Sequence, residues 1–319
     1  MATVTTFADS SVRYDIADGV ATIVVDRPDV LNRISPDVLR QLHDAFRQAI
    51  ADDRVRGIVL GGQGKAFIVG VDIDHYLRCV ESRELWRIVR FTEAVHGLLD
   101  TIDRSPKRVV ARLGGAALGG GFEFALACDY LVASPAASFG FPETGLGIYP
   151  GFGGTQRASR IVGTALTKWL MFTGKTLSAA EALALGVVHQ VVPNDQLEST
   201  CRAIAQGGPC PNRDQQRTPE LAAMERFFAT HRVDDLHAGT ADCRGDASLA
   251  RAMKAIAPKS LLALRLVERL IDQGSRTSLE EGLRLEVDCV IEGFSTEDAY
   301  RGLTFRAKRG LGQPVFAGR

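Results

Sequence analysis

The stretch Ala117-Leu118-Gly119-Gly120-Gly121-Phe122-Glu123 decides the fold of this chain, and a second carboxylate, Glu143, follows 20 residues after Glu123. Glycine has no Cβ, so backbone N–H groups beside it can approach a ligand closely. The start of a helix adds free N–H donors and a partial positive charge. Such donors stabilise an oxyanion or enolate, and a pair of carboxylates can hold and move protons. The pattern predicts an enzyme that stabilises a negatively charged oxygen while it adds or removes water.

Strands, glycine turns and helices alternate on both sides of this stretch. Residues 12–16 and 20–25 flank Asp18-Gly19, which predicts a β-hairpin. Ser35-Pro36 is typical of a helix start, and residues 108–113 form a strand that leads into the glycine-rich turn. The alternation predicts α/β architecture.

The pattern changes after Pro193, where helical periodicity dominates. We expect an α/β core over residues 1–205 and a helical C-terminal region over 206–319. Within the core, helical stretches are predicted over about 81–104 and over 155–170, and a strand over 187–192. The five later helices are predicted over 197–205, 219–230, 247–256, 260–271 and 278–291.

Composition restricts the classes of function. The chain has 319 residues, is 45% hydrophobic and carries no net charge, so no global field favours nucleic acid or an acidic membrane surface. Its six cysteines form no C-x-x-C pair, which favours reduced thiols and no metal site. The N-terminus lacks a signal-peptide pattern, and no apolar run approaches the ~20 residues that a membrane span needs. These features predict a cytoplasmic protein.

Four motifs in order resemble the crotonase superfamily, the enoyl-CoA hydratase/isomerase family. They lie at residues 26–32 (Asp-Arg-Pro, then Leu-Asn), 64–73, 118–129 and 139–157. A single glycine-rich motif is weak, whereas four at matching spacing identify the fold. The resemblance implies an α/β crotonase (ClpP-like) fold, a spiral of repeated ββα units with a helical C-terminal region. It also implies an acyl-CoA substrate and no separate cofactor or metal.

The family's catalytic groups map onto this sequence residue by residue. The resemblance implies that the N–H groups of Val69 and Gly120 hold the thioester oxygen. It further implies that Glu123 accepts a proton from the attacking water and that Glu143 exchanges a proton at the α-carbon. We therefore expect hydration of 2-enoyl-CoA to 3-hydroxyacyl-CoA.

Binding of CoA and assembly are also implied by the resemblance. The segment Val69, Gly70, Val71 and Asp72 corresponds to the one that binds the adenine and pantetheine part in the family, and Asp72 is equally suited to cap a helix. Phe305 and Lys308 match a C-terminal Phe-x-x-Lys that reaches the CoA, often of a neighbouring subunit. Helices over about 259–319 are expected to form a homo-oligomer, a trimer or a dimer of trimers.

Three alternatives remain open at the level of sequence. An enoyl-CoA isomerase needs only one carboxylate. A 3-hydroxyacyl-CoA hydrolase of the 3-hydroxyisobutyryl-CoA type is suggested by the extended segment of about 206–258 and by Pro142-Glu143-Thr144, although those hydrolases generally lack a glutamate at the position of Glu123. A non-catalytic RNA- or protein-binding homologue is disfavoured by the neutral charge and the absence of a basic, aromatic stripe.

Two departures from the family pattern stand out. Gly114-Gly115 replaces the usual Asn-Gly before the glycine-rich turn, and Val69 stands where a smaller residue is common. We expect the histidines and Asp129 to be structural rather than catalytic.

Overall fold

Strands and helices alternate through the first part of the chain and helices follow. A computed structural model describes residues 3–5, 10–216, 218–308, 310 and 312–319. The strands are β1 Thr3–Thr5, β2 Val12–Ala17, β3 Val20–Val25, β4 Gly57–Gly62, β5 Ala66–Val69, β6 Arg108–Leu113, β7 Ala116–Leu118, β8 Tyr130–Ala133, β9 Ser138–Gly140, β10 Leu177–Ser178 and β11 Gln190–Val191.

The α-helices become short and numerous toward the end of the chain. They are α1 Pro36–Ala51, α2 Ile73–Glu81, α3 Trp86–Asp103, α4 Gly120–Leu126, α5 Gly154–Val162, α6 Thr164–Thr173, α7 Ala179–Ala184, α8 Asn194–Ala205, α9 Pro219–Thr230, α10 Val233–Ala238, α11 Ala247–Ile256, α12 Leu261–Gly274, α13 Leu279–Asp288, α14 Val290–Phe294 and α15 Glu297–Ala307. Two 3₁₀ turns, Pro28–Val30 and Glu143–Leu146, complete the described elements.

The strands form two sheets. One has the order β1-β2-β3-β4-β6-β8-β11, and the other has the order β10-β9-β7-β5. From β3 to β11 the first sheet is parallel. The chain repeats a unit of two strands followed by a helix. The first strand of each unit lies in the first sheet and the second strand in the other, as in β4 and β5, β6 and β7, and β8 and β9. This is the repeated ββα arrangement expected from the resemblance.

The hairpin and the first helix form where the local sequence predicts them. The hairpin of β2 and β3 turns at Asp18 and Gly19, whose φ angles of 51° and 79° fit the left-handed turn that Asp-Gly favours. The Ser35 hydroxyl accepts the N–H of Val38 at 3.3 Å and caps α1.

Helix α8 covers one face of the parallel sheet. One valine from each of four neighbouring strands packs with the apolar side of α8 in a single buried cluster, which removes apolar surface from water. The members are Val20, Val59, Val110, Val132, Leu197, Cys201, Ile204 and Ala205.

Backbone geometry divides two of the predicted helices. The helix predicted over 81–104 is wrong at its start, because α2 ends at Glu81 and Arg83 has a left-handed φ of 59° before α3 begins. The helix predicted over 155–170 is divided between α5 and α6 at Gly163, whose φ is 87°. The strand predicted over 187–192 is shorter, since only Gln190–Val191 pair with β8.

Two compact units account for the internal contacts of the chain. The first unit comprises Met1–Val71, Ala94–Phe139 and Leu177–Gln215, and the second comprises Asp72–Glu93, Gly140–Thr176 and Gln216–Arg319. Because the chain enters each unit more than once, the units do not coincide with the contiguous segments 1–205 and 206–319. That division of the sequence stays a prediction.

Candidate active site

The parallel strands β5 and β7 of the first unit end side by side. Val69 is the register partner of Leu118, and the N–H of Gly70 donates to the Leu118 carbonyl at 2.8 Å. The N–H of Val69 donates at 3.0 Å to the carbonyl of Leu31. The expectation that the Val69 N–H holds a substrate oxygen is therefore corrected, because this donor is already used within the protein.

The free donors lie two residues beyond the paired positions. Within the described ranges, the N–H groups of Val71 and Gly120 have no hydrogen-bond acceptor in the protein. Val71 lies two residues after Val69, and Gly120 lies two residues after Leu118. Because Val69 and Leu118 are register partners in parallel strands, the segments that carry the two N–H groups lie side by side. Gly120 is also the first residue of α4, where an N–H has no intrahelical partner. The predicted Gly120 donor is available, and Val71 is the free donor on the other segment.

Asn32 fixes the loop that engages Val69. Leu31 and Asn32 both have left-handed φ angles, 55° and 58°. The Asn32 side chain is fully buried and donates to the carbonyls of Ala66 and Phe67 at 2.9 and 3.1 Å, while its oxygen accepts the N–H of Arg27 at 2.9 Å. Leu31 and Asn32 belong to the first of the four family motifs, and the sequence alone indicates no role for Asn32. Its role is to hold β5 in place, because one amide ties two separate backbone segments together.

Glycines allow the close packing behind the glycine turn, defined here as Gly119–Gly121. Gly119 has φ 56° and ψ −131°, a region that essentially only glycine adopts. A Cβ on Gly121 would lie well inside 3.0 Å of the Ile68 carbonyl oxygen, and one on Gly115 would do the same at Lys65. Gly115 of the unusual Gly114-Gly115 pair is thus required by close backbone approach, whereas a Cβ at Gly114 would make only ordinary contact.

Glu123 lies in the first turn of α4 and is almost completely enclosed. All seven residues of this helix are buried, and Glu123 is 1% exposed. Its N–H donates to the Gly119 carbonyl at 3.1 Å, so the glycine turn sets the position of the glutamate backbone. Enclosed carboxylates are rare in proteins and cluster at functional sites, which makes Glu123 a candidate for proton transfer.

Glu143 opens the Glu143 turn, defined here as Glu143–Leu146, in the second unit. It is 8% exposed and follows Pro142, and its carbonyl accepts the N–H of Ile148 at 3.2 Å. The adjacent Thr144 is fully buried and donates from Oγ1 to the Met171 carbonyl at 2.8 Å. The turn is therefore tied to other elements of the second unit.

Three further residues of the predicted site also lie in the second unit. Asp72 caps α2 by accepting the N–H of Asp74 at 3.2 Å, which is the structural role considered for it. Phe305 and Lys308 lie one turn apart at the end of α15, with Phe305 half-buried and Lys308 exposed. Both line a cleft together with Tyr300 and Pro314.

Other titratable groups of the first unit have structural partners. His189 Nδ1 accepts the N–H of Leu131 at 3.0 Å, and burial, aided by the charge of Arg213, lowers the pKa of His189 to about 4. Asp129 accepts the N–H of Val109 at 2.7 Å, and burial raises the pKa of this carboxyl. Both satisfy backbone donors.

The described ranges contain neither a metal-binding cluster nor a membrane-spanning helix. No group of three or more His, Cys, Asp or Glu side chains is placed to hold a metal ion among those residues. No helix within the same ranges has an apolar stretch long enough to cross a bilayer.

Comparisons with known proteins agree with the geometry. The chain is 39% identical over 189 residues to the short-chain-enoyl-CoA hydratase of Clostridium acetobutylicum, which covers 58% of this chain and 70% of that protein. It is 30% identical to the crotonyl-CoA hydratase of Syntrophomonas wolfei over 91% of this chain and 92% of that protein. The fold matches the crystal structure of an enoyl-CoA hydratase from Rhodobacter sphaeroides with a TM-score of 0.85 at 22% identity, covering 97% and 93% of the two chains.

The sequence pattern described for enoyl-CoA hydratase/isomerase matches residues 15–208. That range contains both strand ends with their free N–H groups and both glutamates. The chain belongs to the enoyl-CoA hydratase/isomerase family and has the crotonase fold.

Proposed function

We propose that this protein hydrates 2-enoyl-CoA thioesters to 3-hydroxyacyl-CoA. Membership of the family supports an acyl-CoA substrate, and two relatives that carry the name of hydratases support the direction of the chemistry. The observation that carries the proposal is the pair of free N–H groups at Val71 and Gly120, followed by the buried carboxylate of Glu123.

The thioester oxygen is the group that these donors fit. When water adds to the β-carbon, negative charge develops on the thioester oxygen as the enolate forms. The N–H groups of Val71 and Gly120 would hold that oxygen, in place of the Val69 and Gly120 pair expected from the sequence. One donor of this kind contributes about 3–4 kcal/mol to a transition state in comparable sites. The oxyanion site would then use backbone groups that cost no reorganisation during the reaction.

The two glutamates would divide the proton transfers. In the proposed reaction, Glu123 accepts a proton from the attacking water while its oxygen bonds to the β-carbon. Glu143 donates a proton to the α-carbon as the enolate collapses, so H and OH add across the double bond. General acid–base groups of this kind contribute roughly 10²–10⁴-fold each. No oxidant, reductant or further cofactor enters this balance.

Contacts to CoA are proposed for two places. The segment Gly70–Asp72 would lie along the pantetheine part, with Val71 contributing its N–H to the thioester. Lys308, an exposed cation beside the half-buried ring of Phe305, suits the phosphates and adenine of CoA. We include Phe305 and Lys308 in the proposed site on these grounds.

The test is a spectrophotometric assay of short and medium 2-enoyl-CoA with the wild type, Glu123→Gln and Glu143→Gln. We expect the absorbance of the conjugated thioester to be lost rapidly with the wild type and at least 100-fold more slowly with either variant. Glu268→Gln is a matched control, since Glu268 is a buried carboxylate that accepts the N–H of Val233 at 3.1 Å. Equal rates for the wild type and both catalytic variants would refute the two-glutamate scheme.

Isomerisation of enoyl-CoA is the second candidate, because the matched family covers both activities. An isomerase moves one proton and needs one carboxylate. Glu123→Gln would then abolish hydration but spare the shift of a 3-enoyl to a 2-enoyl double bond. Release of free CoA from 3-hydroxyacyl-CoA, with no hydration, would instead indicate a hydrolase.

A further inference from the structure

The Glu143 turn is held by residues far from it in sequence. The Thr144 carbonyl accepts the N–H of Ser260 at 3.3 Å, next to the hydrogen bond from Thr144 Oγ1 to Met171. Ser260 is fully buried and also caps α12 by accepting the N–H of Ala263 at 3.3 Å. The start of α12 is therefore bonded to the residue that follows Glu143.

Asp298 lies on the other side of Ser260. Its Oδ2 accepts the Ser260 hydroxyl at 2.6 Å, and its Oδ1 accepts the N–H groups of Ala317 and Gly318 at 2.6 and 3.0 Å. Asp298 is fully buried, and so is its bond to Ser260, whereas the bonds from Ala317 and Gly318 are partly buried. Hydrogen bonds to a buried carboxylate are strong and costly to lose. We call Thr144, Ser260, Asp298, Ala317 and Gly318 the Asp298 network.

Helix α15 also contacts the Glu143 turn through its backbone. A Cβ on Gly147, which directly follows the turn, would lie inside 3.0 Å of the Asp298 carbonyl oxygen. A Cβ on Gly302 would lie equally close to the Leu146 carbonyl oxygen. The turn and α15 therefore fit without space for adjustment, and a shift of Asp298 would be transmitted to the turn.

The segment 313–319 folds back on the first turn of α15. The Arg319 carbonyl accepts the N–H groups of Glu297 and Asp298 at 2.7 and 3.3 Å, and Arg301 donates to the Val315 carbonyl at 3.1 Å. This segment supplies two of the three hydrogen bonds to the Asp298 carboxylate. It thereby completes the Asp298 network.

We propose that Asp298 is a positioning residue for Glu143, acting through Ser260 and Thr144, and that the segment 313–319 is part of the same device. Asp298 itself does not touch the substrate in this scheme, which rests on the proposed hydratase function. A substitution far from the reacting atoms can cost roughly 10²-fold in rate if it misplaces a reacting group by about 1 Å. The hydrogen-bonded chain from Ala317 to Thr144 is a route by which such a displacement would reach Glu143.

The kinetic test compares Asp298→Ala, Asp298→Asn and the control Glu268→Ala. We expect Asp298→Ala to lower kcat about 10- to 100-fold with KM changed less than about threefold. Asp298→Asn keeps an oxygen acceptor for Ala317 and Gly318 and is expected to recover part of the loss. Glu268→Ala also removes a buried carboxylate of the second unit but is expected to leave kcat unchanged.

A double-mutant cycle with Glu143→Gln separates positioning from a general structural effect. If Asp298 acts through Glu143, adding Asp298→Ala to Glu143→Gln lowers kcat less than about threefold further. A full additional loss in that background would overturn the positioning role.

Hydrogen exchange gives a readout that does not depend on activity. We expect backbone amides of residues 143–148 to exchange at least about tenfold faster in Asp298→Ala than in Glu268→Ala. Unchanged exchange in these residues would overturn the proposal even if the enzyme is a hydratase. A wild type without hydratase activity but with the expected exchange pattern would instead refute the proposed function and leave Asp298 as the support of this turn.

Discussion

The glycine turn of the first unit and the Glu143 turn of the second unit present their glutamates by opposite means. Around the glycine turn, the residues that decide the geometry are glycines within a few positions of Glu123, and they act by lacking side chains. The Glu143 turn accepts a hydrogen bond from the backbone N–H of Ser260, and the Ser260 hydroxyl donates to Asp298; both residues lie more than a hundred positions away. The geometry of the glycine turn can be predicted from a short stretch of sequence, whereas the geometry of the Glu143 turn cannot.

The largest expected effect comes from filling the space beside Gly121. In Gly121→Ala the new Cβ would clash with the Ile68 carbonyl, and we expect a loss of roughly 3 kcal/mol or more in the free energy of unfolding. Urea denaturation measures it. Gly97→Ala is the matched control, because a Cβ there meets nothing within 4 Å inside α3 and is expected to stabilise by up to about 1 kcal/mol. Equal free energies of unfolding for the two variants would contradict the steric explanation of the glycine turn.

The next effect concerns the Gly120 donor. Proline is well tolerated at the first position of a helix, so Gly120→Pro removes the N–H at little cost to α4. Gly120→Ala adds a Cβ but keeps the N–H. We expect kcat for hydration to be about 10²–10³-fold lower in the proline variant than in the alanine variant. Similar kcat values would show that Gly120 does not bind the oxyanion.

A third prediction concerns pH and the first unit alone. The pKa of His189 is about 4 in the folded protein against 6.5 as its ordinary value, so the unfolded chain binds the proton first as the pH falls. Stability is therefore insensitive to this group above pH 6.5 and falls between pH 6.5 and 4, by roughly 2–3 kcal/mol in total. Urea titrations across this range measure the slope. His189→Asn keeps an acceptor for the Leu131 N–H and should flatten it.

The smallest effect is expected at Thr144. Thr144→Val preserves the shape of the side chain but leaves the Met171 carbonyl without its hydroxyl donor, which costs about 1–2 kcal/mol of stability. Thr101→Val removes an exposed hydrogen bond to Gly97 and is expected to stay within about 0.5 kcal/mol of the wild type. If the two variants are equally stable, side-chain anchoring of the Glu143 turn is weaker than its burial implies.

Sequence reasoning succeeded where the physical cause is local. The Asp18-Gly19 hairpin and the Ser35 cap follow from backbone preferences of a few adjacent residues, and both are confirmed. The repeated ββα units were expected from the family resemblance, and they are confirmed as well. The motifs identified the family because glycines with positive φ or close backbone neighbours leave a fixed spacing in the sequence.

The failures have non-local causes. The choice between Val69 and Val71 depends on which N–H the Leu31 carbonyl engages, and that follows from a loop fixed by Asn32. Gly70 was the available signal in the sequence. Its positive φ turns the chain, so the N–H of Val71 has a different direction from the N–H of Val69. The Asp298 network left no signal in the sequence around Glu143. The roles assigned to Glu123, Glu143, Phe305 and Lys308 stay predictions.

During synthesis on the ribosome, helix α8 is completed well after the strands that it covers. Strands β3, β4 and β6 are complete by residue 113, but the helix that covers their valines ends at Ala205. Roughly 90 further residues, or about 5–20 seconds of translation, separate the two at usual elongation rates. During that interval the nascent chain exposes an apolar face, and such exposure favours aggregation until α8 has been synthesised.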